Sequence, residues 1–174
     1  MSDGIEILIS EEKIRTRVKE LAAQISRDYA GKTVTLLCTL KGAVIFLADL
    51  AREISLDVRL EFIKVSSYGN DSESEGKIKL DFPEKIDLNE KNVIIVEDIV
   101  DMGYTARWLR EHLHEFYPAS LKLCALLDKP DRRKVDVEID YLGFTIPDEF
   151  VVGYGLDFAQ QNRCLPFIGK IKMR

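Results

Sequence analysis

One stretch constrains this chain more than any other: Asn92-Val-Ile-Ile-Val-Glu-Asp-Ile-Val-Asp-Met-Gly-Tyr-Thr105. The four apolar residues Val93 to Val96 predict a strand buried on both faces, as inside a parallel sheet. Glu97 and Asp98 stand where that strand is expected to end, and Asp101 follows three residues later. Gly103 is expected to open a helix. Acids at the carboxyl end of a central strand, then a glycine turn and a helix N-terminus, make a site for an anionic ligand. A sugar phosphate fits, with its hydroxyls on the carboxylates and its phosphate on backbone N–H groups.

The rest of the chain supplies a frame for that stretch. Ser10 can cap a helix with Glu11 and Glu12 in its first turn, and Ile14, Val18, Leu21, Ala22 and Ile25 form its inner stripe. Gly31 is expected to end it. Thr33 to Leu40 predicts a buried strand, Ala43 to Glu53 a mostly buried helix, and Asp57 to Ser66 another strand. Residues 66–77 hold almost nothing that could be buried, which predicts either a mobile functional lid loop or a disordered segment, and Lys77 to Phe82 a short returning strand. Beyond the central strand, Leu109, Leu113 and Phe116 mark a helix that stops before Pro118. Leu121 to Leu127, Asp136 to Leu142 and Glu149 to Val152 predict later strands, with a turn from Gly143 to Asp148. The tail from Gly153 shows no clear period. Strands alternating with helices give an α/β fold, a central parallel sheet flanked by helices, within one domain over residues 1–174.

Composition closes off other classes. A net charge of −5 argues against a general binder of nucleic acid or of acidic membranes. Cys38, Cys124 and Cys164 are odd in number and lack metal-ligand spacing; two of them lie in apolar runs, the pattern of buried free thiols in a reducing compartment. No run of eighteen apolar residues occurs, so the expected location is cytoplasmic.

Several short motifs stand in order along the chain: Leu40-Lys41-Gly42, Ser67-Tyr68-Gly69, the central stretch, Leu127-Asp128-Lys129-Pro130, and Pro147-Asp148-Glu149-Phe150-Val151-Val152-Gly153-Tyr154. Together they closely resemble the hypoxanthine-guanine phosphoribosyltransferases, which are type I phosphoribosyltransferases. The resemblance runs from about Glu12 to Lys170. It implies a small hood built from the chain ends. It also implies transfer of ribose 5-phosphate from 5-phosphoribosyl-1-pyrophosphate (PRPP) to a purine nitrogen, with loss of pyrophosphate through an oxocarbenium-like state. Such a reaction needs a stabilised cation, a neutralised leaving group and an acid/base at the purine N7.

The resemblance assigns each residue a part. Glu97 and Asp98 hold the ribose 2- and 3-hydroxyls and act as metal-side carboxylates, and Asp101 is the general base and acid at N7. The 5-phosphate loop runs from Asp101 through Met102, Gly103, Tyr104 and Thr105, with Ala106 beside it. Met102 departs from the family's usual Ser or Thr, at a loss of about 1–3 kcal/mol if nothing replaces that hydrogen bond. Leu40, Lys41 and Gly42 serve the pyrophosphate, and the peptide before this lysine can be cis in the resembled enzymes. Ser67 and Tyr68 lie on the lid. Lys129 donates to the 6-oxo group, Phe150 stacks on the base, and Val151 gives main-chain contacts. Asp157 binds a second magnesium through water, and Arg163 contacts pyrophosphate. Mg2+ is implied, held mostly by substrate and water.

His112 and His114 fall on different helix faces, which points to surface roles, and Trp108 to packing. Lys129 weighs against adenine, since a lysine offers no acceptor to an amino group, but it leaves hypoxanthine, guanine and xanthine open. An RNA-binding regulator on the same fold is the alternative from another class, disfavoured by the acidic balance and the intact Asp101. The resemblance also implies a homodimer or homotetramer, with Ala43 to Leu50 as a contact.

Overall fold

The computed structural model describes residues 4–68, 77–81 and 86–171. Its main sheet is built on β5 (Asn92–Val100), whose apolar half is flanked in parallel by β2 (Val34–Leu40) and β6 (Ser120–Asp128). Outside these lie β3 (Val58–Tyr68) and β7 (Tyr141–Thr145), also parallel, and β4 (Lys77–Asp81) pairs antiparallel with β3 at the edge. The strand order is β4-β3-β2-β5-β6-β7. The expected parallel α/β sheet is therefore present, with one antiparallel edge.

Helices cover both faces because alternate residues of each strand need cover on both sides. On β6, Cys124 and Leu126 join one core with α1 (Glu11–Asp28) and α2 (Val44–Glu53). Leu121, Leu123 and Ala125 join the other, with Leu109 and Leu113 of α3 (Tyr104–Leu113). Ser10 caps α1, its hydroxyl accepting from the Lys13 N–H at 3.4 Å, and the five stripe residues are all buried. Among the described residues no helix is long and apolar enough to cross a membrane.

A second sheet, of three strands, joins the two ends of the chain: β1 (Ile5–Ile9), β9 (Ile168–Ile171) and β8 (Val151–Val152), in the order β1-β9-β8. This is the hood. Of its strands only β8 is expected from the sequence, within Glu149 to Val152; β1, in which Ile9 alone is buried, and β9 carry no clear pattern.

Other boundaries moved. Residues 136–140 are irregular and only Tyr141 and Leu142 of the expected strand are in β7. The alternation there is real, because Val137 and Ile139 pack on the second core. Asp140 instead ties the segment down, accepting from the Leu123 N–H at 2.8 Å. Gly143 was expected in a turn but lies within β7; a Cβ there would meet the Leu126 carbonyl oxygen at 2.3 Å, so close strand approach requires the glycine. The segment 66–77 begins within β3 and ends within β4, and residues 69–76 lie outside those described.

Candidate active site

Glu97 and Asp98 do not end β5; they sit on it, and Asp101 follows it. The strand runs on through Glu97 and Asp98 to Val100, still paired with β6 (Glu97 opposite Ala125, Val100 opposite Asp128). Glu97 is thereby drawn into the protein, 6% exposed. Its Oε2 lies 2.6 Å from the Thr39 hydroxyl, which is also 3.1 Å from the Val96 carbonyl. The Thr39 hydroxyl donates to Glu97, with the Val96 carbonyl as its second, longer acceptor. Burial, then the charge of Asp98, pushes Glu97 up to about 8, against a smaller opposing effect of Thr39. Its Oε1 is buried with no partner. An unpartnered buried carboxylate oxygen is costly, and a ligand at this point would satisfy it.

Asp98 is also pushed up, to about 6, by burial ahead of its hydrogen bonds. Part of its surface reaches solvent, but its burial among the surrounding protein groups dominates. One wall is Gly42, where a Cβ would fall 1.6 Å from Asp98 Oδ2. Gly42 follows the Leu40–Lys41 peptide, which is cis, and Lys41 is exposed. Behind Gly42 stands Gly155, whose φ is +109° and whose Cβ would meet the Gly42 carbonyl oxygen at 1.9 Å. Both glycines are required for carboxylate, loop and second loop to touch in series.

Gly155 brings in the segment between β8 and β9. Arg163 donates to the Gly155 carbonyl and to Asp157 Oδ1, both at 2.5 Å, while Asp157 Oδ2 accepts from the Gln160 N–H at 2.8 Å. Arg163 and Asp157 both act on the charge of Asp98, so the three share one locality. Asp157 is fully engaged here. Among the described residues no group of three or more acidic, histidine or cysteine side chains is arranged to hold a metal ion. The orphaned Oε1 of Glu97 beside Asp98 still fits a hard cation that takes its remaining ligands from substrate and water.

The second half of the site is reached through the end of β5. Gly103 has φ +92° and forms the N-cap of α3 without a side-chain cap, so the first-turn N–H groups of Tyr104, Thr105 and Ala106 have no intrahelical acceptors. Met102 is exposed, and its carbonyl accepts from the N–H groups of Lys134 and Val135 at 3.0 and 3.3 Å. The departure from the family pattern thus leaves the loop backbone intact. Lys129 is 5% exposed; its N–H donates to the Val100 carbonyl at 3.0 Å, and its Nζ reaches to 4.0 Å from Asp148 Oδ1. Asp101 Oδ1 is buried and accepts no hydrogen bond, although Arg132 Nε is 3.1 Å away, because the N–H is not aimed at it.

Phe150 is 41% exposed and meets Phe158 edge to face, with ring centroids 5.5 Å apart. Val151 is buried and pairs with Lys170 across β8 and β9. Ser67 and Tyr68 pair through the backbone with Ile78 and Lys77. His112 stacks on Trp108 and its Nδ1 lies 2.9 Å from the Trp108 carbonyl, a packing role for both. Hollows of about 290 and 520 Å3 lie at the opposite end of the sheet, around Lys32 and Asn92. Neither contains any of these groups.

A model of the phosphoribosyl transferase domain matches residues 6–159. The chain belongs to the phosphoribosyl transferase family. Among its relatives is hypoxanthine phosphoribosyltransferase of Haemophilus influenzae, 45% identical over 170 residues, covering 96% of this chain and 95% of the relative. Hypoxanthine-guanine phosphoribosyltransferase of Streptococcus thermophilus is 42% identical over 167 residues, covering 96% and 93%. The crystal structure of hypoxanthine-guanine phosphoribosyltransferase from Bacillus anthracis superposes with a TM-score of 0.91 at 50% identity, covering 96% of this chain and 98% of that one.

In this phosphoribosyltransferase several of the expected residues fall into two neighbourhoods; among the described residues, Ser67, Tyr68, Phe150 and Val151 contact neither. Glu97, Asp98, Gly42, Asp157 and Arg163 form one. Asp101, the α3 N-terminus and Lys129 form the other, on either side of the end of β5. Three residues escaped sequence reasoning. Thr39 reads as one more strand residue, and its signal was a lone hydroxyl at the end of an apolar run. Gly155 needed a spatial neighbour to declare it. Arg132 sits in an Arg-Arg pair within a charged stretch, which in sequence reads as an ordinary solvated surface.

Proposed function

We propose that this chain moves the 5-phosphoribosyl group of PRPP onto hypoxanthine, and onto guanine, releasing pyrophosphate in cytoplasmic purine salvage. The observation that carries this reading is the buried Glu97–Asp98 pair with an unpartnered oxygen, beside an uncapped helix N-terminus. One feature suits ribose hydroxyls and the other a 5-phosphate. The hypoxanthine and hypoxanthine-guanine activities for which the relatives are named supply the base.

In the reaction the C1–O bond to pyrophosphate breaks and a bond from C1 to a purine nitrogen forms. Glu97 and Asp98, once ionised, orient the sugar and lower the energy of positive charge at C1. Asp101 holds the proton that leaves N7. The buried ammonium of Lys129 donates to the 6-oxo group, and Phe150 covers the ring. Lys41, the Gly42 backbone and Arg163 receive pyrophosphate; Arg163 must then share or release Asp157. Magnesium, when bound, neutralises the leaving group, with Glu97, Asp98 and, through water, Asp157 as the carboxylates on its side. The whole chain acts as one domain, with 66–77 closing over the reaction and Ser67 and Tyr68 at its edge. The exposed apolar side chains Val44, Leu60 and Phe62 offer a contact for a dimer or tetramer.

A panel of free bases assayed with PRPP and magnesium tests the reading. Hypoxanthine and guanine are expected to be consumed with release of pyrophosphate, and adenine to remain. Turnover of adenine or a pyrimidine in their place would overturn the assigned base, and indifference to PRPP would overturn the whole. Xanthine, which also bears a 6-oxo group, belongs in the same panel.

A further inference from the structure

Two consecutive arginines follow the Lys129–Pro130 corner and do different jobs. Arg133 turns back onto the chain: its Nε donates to the Asp101 carbonyl at 3.1 Å, and its guanidinium pairs with Asp128. With Lys129 N–H on the Val100 carbonyl and Lys134 N–H on that of Met102, it fixes the backbone on which Asp101 stands. Arg132 addresses the side chain. Its Nε is 3.1 Å from Asp101 Oδ1 and its Nη1 3.6 Å from Asp148 Oδ1. A short 3-10 turn opening at Pro130, closed by Arg132 N–H to the Lys129 carbonyl at 3.2 Å, anchors it.

We infer that Arg132 is a positioning residue for Asp101, its guanidinium holding the acid/base carboxylate in one orientation and balancing its charge. The inference rests on the proposed role of Asp101. Oδ1 is shut off from water and accepts no hydrogen bond, a state unfavourable for an isolated carboxylate. A cation at 3.1 Å offsets that without occupying the lone pair, because its N–H points elsewhere. With Oδ1 closed off, the rest of the Asp101 side chain, 37% exposed, stays open to a proton from the ligand. Asp148 holds the guanidinium from its other side and keeps it from swinging into solvent, to which the Arg132 side chain is 43% exposed. Arg133 cannot substitute, since its guanidinium is committed to Asp128 and to the Val100 and Asp101 carbonyls.

A double-mutant cycle separates this role from a merely structural one. Arg132→Gln is expected to lower kcat about tenfold with the KM for PRPP unchanged, and Arg132→Lys to recover most of the loss. In an Asp101→Asn background Arg132→Gln is expected to cost nothing further, because the charge it acts on is gone. Equal losses in both backgrounds would make Arg132 structural, and an unchanged kcat in the wild-type background would likewise overturn the inference. If Asp101→Asn alone leaves turnover intact, the reading of Asp101 fails first, and this inference with it. Should Arg132→Gln not fold, Arg132→Met, which keeps the apolar stem, runs the same cycle.

Discussion

Asp101 and Glu97 are both carboxylates with an oxygen shut away from water and from partners, yet they differ in what surrounds them. Asp101 has a guanidinium nearby, and Glu97 has a hydroxyl and another acid. Asp101→Asn keeps the shape and removes the base; kcat is expected to fall about 10²–10⁴-fold while the KM for PRPP changes little, measured by steady-state kinetics. Glu97 speaks through pH. Glu97 and Asp98 rise from 4.5 and 3.8 to about 8 and about 6 on folding. Both keep protons in the fold at pH values where the unfolded chain has released them. Their stabilisation is complete below the unfolded values and is lost as pH rises through the folded ones. The melting temperature of the free protein should therefore decline between about pH 4 and 8. In Glu97→Gln that decline should be shallower, since the larger of the two shifts is removed. A slope unchanged by the substitution would show that Glu97 is already ionised.

At the level of elements, the site depends on strands and loops that touch without side chains between them. Gly42→Ala would set a methyl group 1.6 Å from Asp98 Oδ2, so the Asp98 carboxylate, which accepts from the Ile99 N–H at 2.9 Å, would have to turn out of its place. The expected result is loss of PRPP binding by calorimetry, with a drop in stability of roughly 1–3 kcal/mol. The strands that make this possible were legible in the sequence wherever a run was apolar: β2, β5 and β6 announce themselves. So did the helix behind Gly103. Unpaired-looking pieces did not. β1 alternates weakly and β9 lies in a tail without a clear period; both become strands by pairing with each other, which no local pattern encodes. The strand expected from Glu149 to Val152 is present as β8. Glu97 shows the same limit. Its place in the sequence suggested a strand end, but parallel pairing with β6 carries the ladder past it, and that pairing is what buries the acid. The motif residues were found by resemblance, whereas Thr39, Gly155 and Arg132 required three dimensions.

The molecule as a whole is a sheet with two cores, one on each face. Leu126→Ala empties the α1–α2 side and Leu123→Ala the α3 side. Each should lower unfolding free energy by about 2–5 kcal/mol in chemical denaturation. The two cores share β6, so a double variant losing much less than the sum would show that one face repacks when the other is opened. The same two-sided cover sets the fate of the thiols. Cys38 and Cys124 are buried in the α1–α2 core, and burial raises both thiols, the former to about 12. Neither can form an attacking thiolate in the folded state. Cys164 lies in solvent, next in sequence to Arg163. A maleimide fluorophore added to the native protein would thus attach at a single natural position and report, without any engineered handle, when the neighbouring guanidinium changes partners.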